Sequence, residues 1–167
     1  MHTVVIGAGG VGGYFGGKIS NSGQKVTFVV RGKHLENIQQ KGLQVKSIDG
    51  DFTTHPFLVT DTISQVEKAD IVLICTKSWQ VTETAKSITP ILKEDTVVIP
   101  LQNGADNAEK VLSVIDPKYV LGGLCKIYSK IDSPGVISHF GHPPEIIFGE
   151  LDKSKTERLL KVKQVFD

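Results

Sequence analysis

The chain has 167 residues, enough for one domain with a substantial buried core. Lys and Arg number 19 against 18 Asp and Glu, a formal net charge of +1, which argues against nucleic-acid binding or a polyacidic partner. No apolar run reaches membrane-spanning length, the first residues read as a strand and loop rather than a signal peptide, and the bulk properties suit a soluble cytoplasmic domain.

In chain order, Thr3–Ile6 reads as a strand, residues 10–21 as a helix and Lys25–Val30 as a second strand. Residues 33–41 read as a helix capped by Gly42. Leu43–Ile48 alternates apolar and polar, Asp49-Gly50 is a turn signal, and Phe52–Val59 is expected to return as the partner strand of a hairpin. A short helical connector over 63–68 leads to Asp70–Cys75, a continuous apolar strand of the kind that parallel sheets covered on both faces require. Residues 79–89 read as helical up to Pro90, Thr96–Ile99 as a buried strand ended by Pro100, and 105–115 as a helix. Three strand-like runs follow, Tyr119–Ser129, Val136–Phe140 and Glu145–Phe148, then an amphipathic helix over about 154–166. The order predicts an α/β, Rossmann-like, doubly wound sheet with a parallel first half and an antiparallel extension.

The first strand feeds directly into Gly7-Ala8-Gly9-Gly10-Val11-Gly12, a G-x-G-x-x-G fingerprint with the required strand before it, helix after it and second strand beyond. Gly7 permits the tight turn, Gly9 lets the backbone approach a pyrophosphate, and Gly12 lets helix and strand pack closely. The helix start offers unpaired N–H groups and a positive dipole end to phosphates. The second strand ends without the acidic residue that grips a ribose 2′-hydroxyl; it runs instead into Arg31-Gly32-Lys33. A guanidinium can grip a 2′-phosphate with two prongs, so Arg31 points to NADP(H), with Lys33 as a second charge; a solvated basic turn is the alternative. Two more polar residues fall at the carboxyl ends of apolar strands, Lys77 and Asn103. Lys77 suits a phosphate, a ribose or a substrate carboxylate, and Asn103 suits a carbonyl or hydroxyl. Each, taken singly, is also ordinary loop chemistry.

Taken together, Gly7–Gly16, Arg31, Thr76-Lys77-Ser78-Trp79-Gln80 and Leu101-Gln102-Asn103-Gly104 resemble ketopantoate reductase (2-dehydropantoate 2-reductase). Ser133–His139 and Ile147–Glu150 fit the later part of the same domain, so the likeness runs along nearly the whole chain. The resemblance implies that Gly7, Ala8, Gly9, Gly10, Val11 and Gly12 cradle the NADP(H) diphosphate and that Arg31 binds the 2′-phosphate. It implies that Lys77 and Gln80 lie along the cofactor, that Asn103 and Lys77 meet the substrate, and that Ser129 falls near a further cofactor contact. The implied reaction is reduction of ketopantoate to pantoate, towards pantothenate and coenzyme A, with hydride from NADPH and a general acid that protonates the alkoxide. In the family that acid is a lysine of a second, helical domain. The expectation is therefore that residues 1–152 form the nucleotide-binding domain and that 153–167 lead towards a helical substrate domain absent from this chain. No catalytic residue is expected within the chain, the general-acid lysine being expected after Asp167; Lys161 and Lys163 do not match that lysine's setting.

Other chemistry is weaker. Cys75 and Cys125 form no C-x-x-C pair, and Cys75 reads as a buried reduced thiol. His139 and His142 lack supporting ligands at metal-site spacing, so no metal is expected. There is no G-x-S-x-G nucleophile. Trp79 and Phe140 are read as packing residues, and Lys126 and Lys130 as one polar strand face. The apolar last helix suggests a surface covered by a further domain or partner; a homodimer is compatible with the chain. A dehydrogenase for another 2-oxo acid or for opines, and a non-catalytic dinucleotide sensor, are the alternatives to a ketopantoate reductase.

Overall fold

The computed structural model describes residues 1–104 and 106–167. Five strands, β1 (His2–Ile6), β2 (Lys25–Val29), β5 (Leu58–Thr60), β6 (Ile71–Ile74) and β7 (Val97–Pro100), form a parallel sheet in the order β5-β2-β1-β6-β7. The chain builds outward from β1 to one side, then crosses to the other side at β6. Neighbouring connections therefore diverge at the carboxyl ends of β1 and β6, where open parallel sheets bind ligands. The runs are apolar throughout because both faces are covered. Val5, Leu73 and Ile99 face a core shared with α1 (Gly10–Asn21), while Val4, Val72 and Val98 face a second core containing Val81 and Ala85 of α3 (Val81–Ser87) and Val111 of α4 (Asn107–Leu112).

Helix α1 matches its sequence expectation, although glycine inside a helix costs roughly 0.5–1 kcal/mol relative to alanine. The reason is close approach on two sides. A β-carbon on Gly12 would strike the Gly7 carbonyl and one on Gly16 would lie 2.7 Å from the Phe28 ring. A β-carbon on Gly13 would lie 2.6 Å from Ile137, and one on Gly17 would lie 3.2 Å from Leu43. The pairs 12/16 and 13/17 are each one helical turn apart, so two glycine stripes press α1 between two sheets.

The second sheet corrects the expected hairpin and extension. Phe52–Val59 is not one strand. It divides into β4 (Phe52–Thr54), antiparallel to β3 (Leu43–Ser47), and β5, which leaves for the parallel sheet. Pro56 stands at the division, where it can donate no ladder hydrogen bond, and Phe57 N–H instead donates to Val26 O at 2.9 Å. Tyr119–Ser129 likewise divides, into β8 (Gly122–Lys126) and β9 (Ser129–Ser133). The antiparallel pairing expected of the later strands holds for β9 with β10 (Val136–His139) and for β8 with β11 (Glu145–Gly149). These strands do not lengthen the parallel sheet. They form a four-stranded sheet, β4-β3-β10-β9, in which β10 runs parallel to β3, and a separate β8–β11 pair. Lys126 and Lys130 therefore sit on different strands rather than on one face.

Helix α2 (Gly32–Lys41) ends at Gly42, whose φ of 78° and N–H to Ile38 O realise the expected cap. The connector over 63–68 is a 3₁₀ turn at Ile63–Gln65, and α3 is shorter than expected, flanked by 3₁₀ turns at Ser78–Gln80 and Thr89–Ile91. The helix expected over 105–115 is α4; position 105 lies outside the described residues. The last helix, α5 (Glu157–Phe166), is mostly covered by its own chain: Val162 and Val165 are buried in the α1-side core and Phe166 packs 5.3 Å from Phe148. Thr156 caps it and Glu150 pairs with Arg158. Leu159 and Phe166 are half-buried, and Leu160 stands exposed. Asp167 closes α5 at its C-cap, exposed and 3.3 Å from Lys163 in an i,i+4 ion pair.

Candidate functional site

The glycine loop crosses the carboxyl edge of the sheet beside the β1/β6 divergence. Gly7 takes φ 95°, a conformation suited to glycine, and its N–H is held by Val29 O at 2.9 Å. Helical bonding begins with Gly13 N–H to Gly9 O at 2.7 Å, so the amides of Gly10, Val11 and Gly12 lie ahead of the first helical bond. Among the described residues the Gly9 N–H meets no protein acceptor. Gly9 itself has φ −71° and ψ −165°, which any residue can adopt, and a β-carbon there would meet nothing within 4 Å. The protein gives Gly7, Gly12, Gly13 and Gly16 internal reasons to be glycine. It gives Gly9 none, and the bare space above it is what a closely approaching pyrophosphate requires.

Two adjoining basins, of about 500 and 550 Å³, run along this edge and share Gly7, Gly9, Thr76 and Gln80. The first holds Ala8, Arg31 and His34; the second holds Gly10, Val11, Lys77 and Asn103. Nine of the ten predicted cofactor residues therefore come together on one groove. Gly12 does not: it lies beneath the loop, pressed against Gly7 O and Cys75, and acts through packing. Exposed Lys33 is also absent from the lining. So is the segment from Lys161 to Asp167, which lines neither basin; no residue of α5 stands in the groove as a proton donor. Gln80 turns its Oε1 back to the Lys77 N–H at 3.3 Å, which fixes both at the start of the 3₁₀ turn. Gln102 Oε1 and Ser129 Oγ, both from residues lining the second basin, are buried with no hydrogen-bond partner among the described residues. Orphaned polar atoms beside a bare glycine fit a polar ligand in this groove. A further cavity of about 400 Å³ continues from Asn103 past Cys125 to Lys126, Tyr128 and His142.

Sequence reasoning misses two groups here. Asp61 and Glu83 share the first basin with Arg31. Asp61 follows β5, and reading Phe52–Val59 as a hairpin strand hides that β5 ends at the same rim. His34 reads in the sequence as one more polar residue of a helix. It is buried, with Nε2 2.8 Å from Ala8 O and Nδ1 accepting from Gly135 N–H at 2.8 Å. Burial lowers its pKa, against the opposing pull of the Ala8 carbonyl.

Two aromatic residues are corrected. Trp79 is 78% exposed on the wall of the second basin and is no packing residue. Phe140 is also exposed, its ring 6.3 Å from that of Tyr128. Cys75 and Cys125 are free thiols on the same wall, and burial pushes both up, leaving them protonated and unreactive near neutrality. His139 is tied to Ser47 Oγ at 2.8 Å and His142 O at 3.0 Å, and among the described residues no cluster of His, Cys, Asp or Glu could hold a metal. No described helix is long and apolar enough to cross a membrane.

Residues 3–153 match the ketopantoate reductase PanE/ApbA family. The chain belongs to this family. It is 34% identical over 99% of its length to the uncharacterized oxidoreductase YkpB of Bacillus subtilis, covering 54% of that protein. It is 33% identical over 87% of its length to 2-dehydropantoate 2-reductase of a Nostoc species, covering 45% of that enzyme. The structure of 2-dehydropantoate 2-reductase from Porphyromonas gingivalis superposes with a TM-score of 0.93 at 29% identity, covering 99% of this chain and 60% of that one. The chain thus spans about half the length of the curated relatives it matches.

Proposed function

We propose that residues 1–167 form the NADPH-binding half of a reductase that converts 2-dehydropantoate to pantoate. The observation that carries this is Gly9, a glycine with no internal purpose, set at a helix N-terminus whose leading amides are open. The amides from Gly9 to Val11 hold the diphosphate, Arg31 the 2′-phosphate, and Lys77 and Gln80 the stretch between. Bound NADPH supplies hydride. Asn103, at the junction of the second basin and the cavity beyond, donates from its amide to the substrate ketone and holds that carbonyl over the groove. Lys77 offers positive charge to the substrate carboxylate. Protonation of the new alkoxide falls to a lysine beyond Asp167, in keeping with the family resemblance.

Asp61 and Glu83 favour a second reading, an NADH-linked dehydrogenase of another 2-oxo acid, because carboxylates lining the basin that holds Arg31 repel a 2′-phosphate and suit a ribose hydroxyl. Calorimetry separates the two. NADPH is expected to bind more tightly than NADH, and Arg31→Ala to shrink that preference by about ten- to a hundredfold, the worth of one charge-assisted hydrogen bond. An unchanged preference in the variant, or a wild-type preference for NADH, refutes the NADPH assignment.

A further inference from the structure

His34 stands where three segments meet: the glycine loop, the first turn of α2 that follows Arg31, and the β9–β10 turn. Its two ring nitrogens are committed in opposite senses. Gly135 N–H can only donate, so Nδ1 carries a lone pair; the proton of the neutral ring is then on Nε2, which donates to Ala8 O. The turn is shaped to this contact. Gly135 has φ 80°, and a β-carbon there would come within 2.9 Å of Asn37 Cβ on α2. Across a trans peptide the carbonyl and the next N–H point in opposite directions. Tying the Ala8 carbonyl to His34 therefore turns the Gly9 N–H away from the ring, and it is this amide that meets no acceptor among the described residues.

We propose that His34 is a positioning residue that sets the Ala8–Gly9 peptide with its N–H presented to the dinucleotide diphosphate. The inference rests on reading the glycine loop as a phosphate cradle. A histidine that merely filled the core would act on stability alone. One that orients the peptide acts on affinity even where the fold is intact, since a flipped Ala8–Gly9 peptide would offer a carbonyl oxygen to an anion.

The test uses the whole chain. In ¹⁵N-labelled wild type without ligand, the His34 ring should be neutral, protonated at Nε2 and unprotonated at Nδ1; the opposite tautomer, or a freely exchanging mixture, overturns the proposal. His34→Leu should weaken NADP⁺ binding about tenfold or more and move the Gly9 amide resonance before any ligand is added. His34→Gln, which can donate with Nε2 and accept with Oε1, should recover most of the affinity. A folded His34→Leu protein that binds NADP⁺ within about twofold of wild type overturns it. Should the leucine variant fail to fold, the glutamine variant and the wild-type tautomer decide. Failure of the wild type to bind NADPH or NADH would sink the cofactor reading instead, and the tautomer and Gly9 amide, which need no ligand, would still decide the role of His34.

Discussion

Substituting Gly9 by valine separates ligand from fold more cleanly than any other change in the loop. The backbone there is extended, with φ −71° and ψ −165°, and open space lies where the side chain would grow. The folded state therefore loses only the preference for glycine over valine at a helix N-cap, on the order of 1 kcal/mol. The ligand loses far more. A branched side chain above the loop stands between the diphosphate and the amides of Gly9 and Gly10. Each charge-assisted bond is worth roughly 1.5–3 kcal/mol, so two removed together weaken binding by about 10²- to 10⁴-fold. Trp79, the single tryptophan, is exposed on the groove wall and reports binding through quenching of its emission by reduced nicotinamide, with calorimetry as a check. Thermal melts and circular dichroism would establish that the variant is folded. A folded Gly9→Val protein with wild-type NADPH affinity refutes the assignment of the groove.

Gly13→Ala should do the reverse: its β-carbon would meet Ile137 at 2.6 Å, and overpacking of this kind costs roughly 1–3 kcal/mol, read as a lowered Tm with little change in affinity per folded molecule. Stability should fall with acidification through the histidine range. Burial lowers the pKa of His2 and His34 below the ordinary 6.5, so the unfolded chain binds more protons there, and their contribution, complete above 6.5, is lost as pH drops below it. A Tm that stays level or rises between about pH 7.5 and about pH 5.5 contradicts this. Purified 1–167 should bind NADPH yet fail to oxidise it with ketopantoate at an enzymatic rate, because general acid catalysis contributes ~10²–10⁴-fold; robust turnover would make Lys77 or another groove residue the proton donor.

The parallel sheet and its phosphate loop are legible in the sequence because their signals are local. Val4-Val5-Ile6 and Ile71–Ile74 are apolar without interruption, and the glycines sit at fixed spacing between strand and helix. What escapes is set by partners distant in sequence. Within Phe52–Val59 only Pro56 marks a break, and nothing local says that the two halves join different sheets. Asp61 becomes invisible with that error, although it shares a basin with Arg31. His34 looks like any polar residue of α2 until Gly135, 101 positions away, donates to it. Trp79 misleads because size argues for burial, whereas a groove wall can leave a ring in water.

Confinement of α1 between two sheets divides the cofactor site into a part that cannot drift and a part that can. Changing Gly13, Gly16 or Gly17 wedges α1 against a sheet before it alters any contact to phosphate, so selection on cofactor choice finds no small step there. At the ends of β2 and β5 the situation is the opposite. Arg31 and Asp61 are exposed side chains on turns, and exchanging them leaves the scaffold untouched. A lineage, or an engineer, wishing to trade one dinucleotide for another has those two positions as the inexpensive ones, with the diphosphate grip inherited unchanged.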